Sequence, residues 1–253
     1  MNKYFNFLLI AGMLIAGMSL TSCENDDEPG RTPEPVIHVD VHDDYVEISA
    51  TGEGEVVLYR KVTNTQLEPD DNPVRIGRSY RDLTHEYAAT AKEAGKEISN
   101  TVYRTIEIPM AEVPKFVNLY SEHESQDDSY YQFTVNMRQS LSKIYMHNVM
   151  FTDGDETIKN MTILLQSPVT FDKNSRVYTF SCKTITPILL DGQTQEPMND
   201  FPFNNFLCTM DIKNMTYNMS FDCLGSHLED SGKLTNVAGV FIVNDDGTVV
   251  ITI

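Results

Sequence analysis

Tryptophan is absent from the 253 residues, and cations are scarce, with 19 Lys and Arg against 37 Asp and Glu for a formal charge of -18. The shortage of cations excludes nucleic-acid binding, because neutralising phosphates takes Lys and Arg. It disfavours docking on an anionic membrane surface for the same reason. The missing Trp removes the best flat platform for a sugar face. Cysteines number four, none in C-x-x-C spacing, so zinc and dithiol chemistry are not expected. No G-x-S-x-G, Walker loop, dinucleotide fingerprint or H-E-x-x-H occurs. With 37 acidic residues a carboxylate pair can always be imagined, so their number points to no glycosidase. The expectation is a protein that is not an enzyme and carries no cofactor.

The long apolar run is Phe7 to Met18, twelve residues after Lys3, too short to span a bilayer and of signal-peptide length. Leu20-Thr21-Ser22-Cys23 follows it and resembles a bacterial lipobox. That resemblance implies removal of residues 1–22 and lipidation of Cys23, tethering the chain to the lipid bilayer; an ordinary secretory signal is the alternative. Several acyl chains anchor stably, at about 0.8 kcal/mol per buried methylene. Residues 23–35 combine the acidic run Glu24 to Glu28 with Pro29, Pro33 and Pro35 and read as a solvated linker. The acidic run resembles the export signal of Bacteroidetes surface lipoproteins, which implies an outer-membrane protein facing the cell exterior.

Residues 36–110 carry short strand-like runs at Val36 to Val41, Tyr45 to Ala50, Glu55 to Lys61, Glu86 to Lys92 and Thr101 to Ile108, separated by turn residues. Spacing near ten residues suggests a small immunoglobulin or fibronectin-III type sandwich. Gly52-x-Gly54-Glu55-Val56-x-Leu58-Tyr59, Asn72-Pro73, Tyr87-x-Ala89-x-Ala91 and Gly95-Lys96-x-x-Ser99 resemble the fibronectin-III-like module at the end of chitobiase and hexosaminidase enzymes. The resemblance implies a spacer without catalytic residues. Pro109 to Pro114 then reads as an extended connector.

Residues 116–253 form a second domain. Tyr131, Phe133, Val135 and Met137 alternate with polar residues, as do Met215, Tyr217, Met219, Phe221 and Cys223, each set marking a half-buried strand. Arg176 to Cys182 and Phe206 to Asp211 add strands, and Ala238 to Val243 with Thr248 to Ile253 reads as a hairpin closed by Asn244-Asp245-Asp246-Gly247. The fold class is therefore all-β, an N-terminal sandwich followed by an antiparallel barrel or sandwich. Ile144-x-Met146-x-Asn148-Val149-Met150-Phe151, Ile158-x-x-Met161-x-Ile163, Ile185-x-Pro187 and Met219-x-Phe221-x-Cys223 resemble the calycin-like domain of Bacteroidetes lipoproteins. The Gly-x-Trp of lipocalins is missing, which argues against a lipocalin ligand cup.

Among candidate chemical groups, Cys182, Cys208 and Cys223 fall in phase with core residues and read as small buried side chains, with one cross-strand disulfide as the alternative. His38, Asp40, His42 and Asp44 share one parity of a strand, yet His38 and His42 would lie about 13 Å apart, too far for one metal. His147 reads as a core histidine, while His85, His123 and His227 have no partner at recognisable spacing. Asp153-Gly154-Asp155-Glu156 lacks the further ligands of a calcium loop and reads as a hairpin tip. Tyr130 stands out of phase with the core face of its strand and reads as a surface residue at the strand start, with a sugar-facing ring as the alternative. The expected partner is a ligand of the C-terminal domain, a glycan in first place, captured for an outer-membrane import complex. The alternative is a structural or adhesive subunit that pairs strands with another protein.

Overall fold

The computed structural model describes residues 30–122, 129–139, 141–153, 156–236 and 240–252. Residues 1–22, read above as a signal segment, and Cys23 lie outside these residues, as do the acidic run Glu24 to Glu28, His123 and the pair Gly154-Asp155.

The chain is all-β. Seven strands build the first layer pair: β1 (Val36–Val41), β2 (Tyr45–Thr51), β3 (Glu55–Lys61), β4 (Leu67–Asp70), β5 (Val74–Gly77), β6 (Leu83–Lys92) and β7 (Val102–Ile108). β1-β2-β5 form part of one antiparallel sheet and β4-β3-β6-β7 another. Ile37, Ile48 and Ile76 from the first meet Leu58, Tyr87 and Ile106 from the second in one buried cluster. This is the expected antiparallel β-sandwich.

Asn72, Ser99 and Gly54, three of the residues quoted for the resemblance, have structural roles in this sandwich. Asn72 accepts a hydrogen bond from the Ala50 amide and donates one to its carbonyl, both at 2.9 Å. The Ser99 hydroxyl accepts from the Ala91 amide at 2.8 Å. Gly54 adopts φ +77°, and a Cβ there would lie 2.3 Å from the Lys92 carbonyl oxygen, so no other residue fits the turn.

Residues 30–35 differ from the expected solvated linker. Thr32 is only 2% exposed. Its amide bonds the Glu97 carbonyl at 2.9 Å and its hydroxyl accepts from the Glu93 amide at 3.0 Å. A threonine hydroxyl can satisfy two orphan backbone groups at once, which a polarity count along the sequence does not show.

The second module contains β8 (Phe116–Glu122), β9 (Tyr130–Asn136), β10 (Leu141–Asp153), β11 (Glu156–Asp172), β12 (Val177–Ile185), β13 (Ile188–Asp191), β14 (Thr194–Pro197), β15 (Phe203–Asp211), β16 (Thr216–Cys223) and β17 (Ser226–Asn236). The ring β8-β9-β10-β11-β12-β15-β16-β17 closes where Leu119 to Glu122 pair with Lys233 to Asn236. The outcome is an eight-stranded antiparallel barrel, with the β13–β14 hairpin paired to the middle of β11. Phe133, Tyr178, Phe180, Phe203, Phe206 and Tyr217 fill its interior and are at most 1% exposed. An eight-stranded barrel is just wide enough to be filled by side chains in this way.

The last two strands, β18 (Val240–Val243) and β19 (Val249–Thr252), form the expected hairpin but in an unexpected place. They extend the sandwich sheet to β1-β2-β5-β18-β19, with Ile242 opposite Ile76. The eight-stranded ring closes on itself, whereas β5 leaves an edge of the sandwich sheet open. Phe241 packs on Gly77, where a Cβ would meet it at 3.3 Å, and edge-on against Phe116 at 5.5 Å.

The two modules are thus joined by more than the connector. Arg78 donates to the carbonyls of Pro109, Met110 and His42 at 3.0, 2.8 and 2.7 Å, pinning the connector to the sandwich. Asp44 bonds Lys115 at 2.9 Å and Arg138 at 2.8 Å. Burial raises the Asp44 pKa, but the hydrogen bonds from these two cations outweigh it and hold the carboxyl below its ordinary value.

Candidate ligand-binding face

Alternation decides which side chains the barrel wall shows to solvent. Val117, Leu119, Phe133, Val135, Ile144 and Met146 point inward and are at most 3% exposed. Their neighbours on β8, β9 and β10 therefore point outward. Register sets them in rows across the three strands: Tyr130 opposite His147, then Tyr120-Gln132-Tyr145, then Asn118-Thr134-Lys143.

The rings form a ladder. Tyr130 stacks on His147 with centroids 4.3 Å apart and planes at 22°. Tyr145 lies parallel to the same imidazole at 6.0 Å, and Tyr120 leans against Tyr130 at 5.7 Å. Beside them the side-chain oxygen of Asn118, a residue buried beneath this face, accepts from the Gln132 amide at 3.0 Å and from the Thr134 hydroxyl at 3.2 Å, orienting both donors. Among the described residues no hydrogen-bond partner occupies the phenol hydroxyls of Tyr120, Tyr130 or Tyr145.

His147 terminates the regular pairing of this face. The β10–β11 register shifts between Met146 and Val149, and Asn148 takes φ 53°, the mark of a bulge. The imidazole is half-buried on the outer wall and not in the core, and its Nε2 is buried without a hydrogen-bond partner among the described residues. Burial lowers its pKa, so the ring is neutral at neutral pH. Burial, with the Tyr130 phenol beside it, raises the Tyr120 pKa and keeps that hydroxyl a donor. The face combines apolar ring surface, phenol hydroxyls, the oriented Gln132 amide and Thr134 hydroxyl, and the Lys143 ammonium, which is chemistry for gripping a hydroxyl-rich ligand.

Tyr130 is thus joined by three rings that sequence reading did not group with it, because they stand on two other strands. Their signal was present: Tyr145 and His147 are out of phase with Ile144 and Met146, as Tyr130 is with Tyr131.

Other expected groups fall elsewhere. Cys182, Cys208 and Cys223 are free thiols, Cys208 and Cys223 buried. Burial, and then the Asp230 carboxylate, push the Cys208 thiol far up. His38 bonds Thr51 at 2.7 Å, His42 stacks on Tyr45 at 4.4 Å beyond the end of β1, and Asp44 belongs to the junction. His85 lies on the sandwich, its pKa lowered by burial and by Arg60. Asp153 and Glu156 are the closing pair of the β10–β11 hairpin. His227 gains partners invisible in the sequence, bonding Asp222 at 2.6 Å and Glu229 at 3.3 Å; hydrogen bonds to these carboxylates raise its pKa.

Comparison with protein-family models, with curated proteins and with solved structures found no match.

Proposed function

We propose that the chain is a non-catalytic lipoprotein of the outer cell surface, anchored through Cys23, whose sandwich presents the barrel and whose β8–β10 face binds a ligand. A glycan captured for an outer-membrane import complex is the ligand class ranked first. The supporting observation is the outward ladder of Tyr120, Tyr130, His147 and Tyr145 beside the Asn118-Gln132-Thr134 hydrogen-bond network. Because stacked rings use faces on one another, the ladder grips largely through ring edges and hydroxyls, a mode that does not require Trp.

The test is a glycan array with the mature chain carrying Cys23→Ser, against the same chain with Tyr130→Ala and Tyr145→Ala. Each ring removed should weaken binding about tenfold, the equivalent of ~1.4 kcal/mol. A flat array across host and dietary polysaccharides would remove the glycan reading.

One observation favours the second reading, an adhesive subunit. Every other outermost strand of the sheets is blunted by charge or proline: Asp40 in β1, Pro69 in β4, Arg104 in β7 and Pro197 in β14. β19, Val-Val-Ile-Thr, has neither, which leaves its edge suited to strand addition by another chain.

A further inference from the structure

We propose a second binding site on the opposite wall of the barrel, a trough across β15, β16 and β17 that takes a neutral carbohydrate segment. It stands independently of the aromatic face.

Cys208, Met210, Tyr217, Met219 and Phe221 point into the barrel, so the alternate residues of these strands face out. Register places Leu207-Ser220-Glu229 in one row and Thr209-Asn218-Ser231 in the next. Leu207 and Glu229 stand at opposite sides while the positions between and beside them carry short side chains. That difference in side-chain length hollows out a trough of about 510 Å3 on what would otherwise be a level barrel wall. The volume falls in the roughly 300–1,000 Å3 range of small-molecule sites.

Next to the trough, the row Asn204-Asp222-His227 is fixed. The β15–β16 register shifts between Asn204 and Leu207, and Asn205 takes φ 51°. This bulge lets Asn205 donate to Asp222 at 2.6 Å, while His227 holds the other Asp222 oxygen at 2.6 Å. The floor is different. Among the described residues, the side chains of Thr209, Asn218, Ser220 and Ser231 make no hydrogen bond to the protein. Three hydroxyls and an amide therefore face the trough with their donors and acceptors open.

The chemistry selects a ligand. Hydroxyls and an amide exchange hydrogen bonds in both directions, matching the mixed donors and acceptors of sugar hydroxyls. Leu207 supplies an apolar wall for a sugar's C–H face. No Lys or Arg lines the trough, whereas Glu229 and Asp230 both do, so a carboxylated or sulfated chain meets repulsion without compensation.

The experiment uses the mature chain with Cys23→Ser in affinity electrophoresis through gels containing mannan, xylan, mixed-linkage β-glucan or acidic polygalacturonate. Retardation is expected by at least one neutral polysaccharide and not by polygalacturonate. Asn218→Leu with Ser220→Leu, both outward strand positions, should weaken that binding at least tenfold while leaving the circular dichroism spectrum and melting temperature unchanged. Glu229→Gln should reduce the discrimination against polygalacturonate. Three results overturn the proposal: no neutral polysaccharide binds, polygalacturonate binds as well as the neutral ones, or the folded double variant binds as the parent does. Loss of binding in this variant with none in Tyr130→Ala/Tyr145→Ala upholds the trough and removes the glycan reading of the aromatic face. The converse upholds the aromatic face and overturns the trough.

Discussion

Gly232 shows how much of the barrel depends on a side chain that is not there. It lies on β17 opposite Tyr217, and a Cβ at this position would sit 2.9 Å from the tyrosine ring. The empty position lets the ring cross the interior and its hydroxyl donate to Asp230 at 3.1 Å. Gly232→Val should therefore destabilise the protein by about 1–3 kcal/mol through overpacking. Urea unfolding is the check, with a lower midpoint at unchanged slope expected; an unchanged midpoint would mean that the ring does not occupy that space. The same residues explain what sequence reading missed. Tyr131, Phe133 and Val135 announce an inward face, whereas β17 fills its inward positions with Asp230 and Gly232 and so looks like loop. His227 was equally hidden, because Asp222 becomes its neighbour only once β16 and β17 pair in their observed register.

At the level of elements, β1 and β3 begin and end where their apolar runs do, since isolated runs bounded by turn residues leave few alternatives. β16 starts at Thr216 and not two residues earlier, because Met215 takes φ 55° in the preceding turn and alternation continues through it unbroken. β4 was not legible, being four residues long with a proline. β10 and β11 were legible only in pieces, since the bulge after Met146 breaks the period of two. The final hairpin was recognised as a hairpin but assigned to the wrong partner, because strand pairing at long range is a matter of which edges remain open. A chain ending at Asn236 should uncover Gly77, Ile76 and Phe116. Removing a buried phenylalanine alone costs roughly 3–5 kcal/mol, and Phe241 is 5% exposed. Calorimetry should show one transition for the full chain and two for the truncated one; two transitions in both would mean that the hairpin does not couple the modules.

For the molecule as a whole, the division into sandwich and barrel was readable from strand spacing, while the contact between them was not. It rests on Asp44, Arg78 and Arg138, whose partners come from distant parts of the chain. The tether is the remaining question at this scale. Cys23→Ala should shift the protein from the membrane fraction to the soluble one on cell fractionation, and persistence in the membrane would refute the anchor.

The clamp on Thr32 also bears on that tether. Gly30 already accepts a backbone hydrogen bond from Glu97 at 2.7 Å, so only the six residues 24–29 lie between Cys23, the proposed anchor, and the folded body. Fully extended, such a span reaches about 25 Å. Were Cys23 lipidated as proposed, so short a line would hold the folded body close to the bilayer. Both candidate faces would then work in the zone beside the membrane.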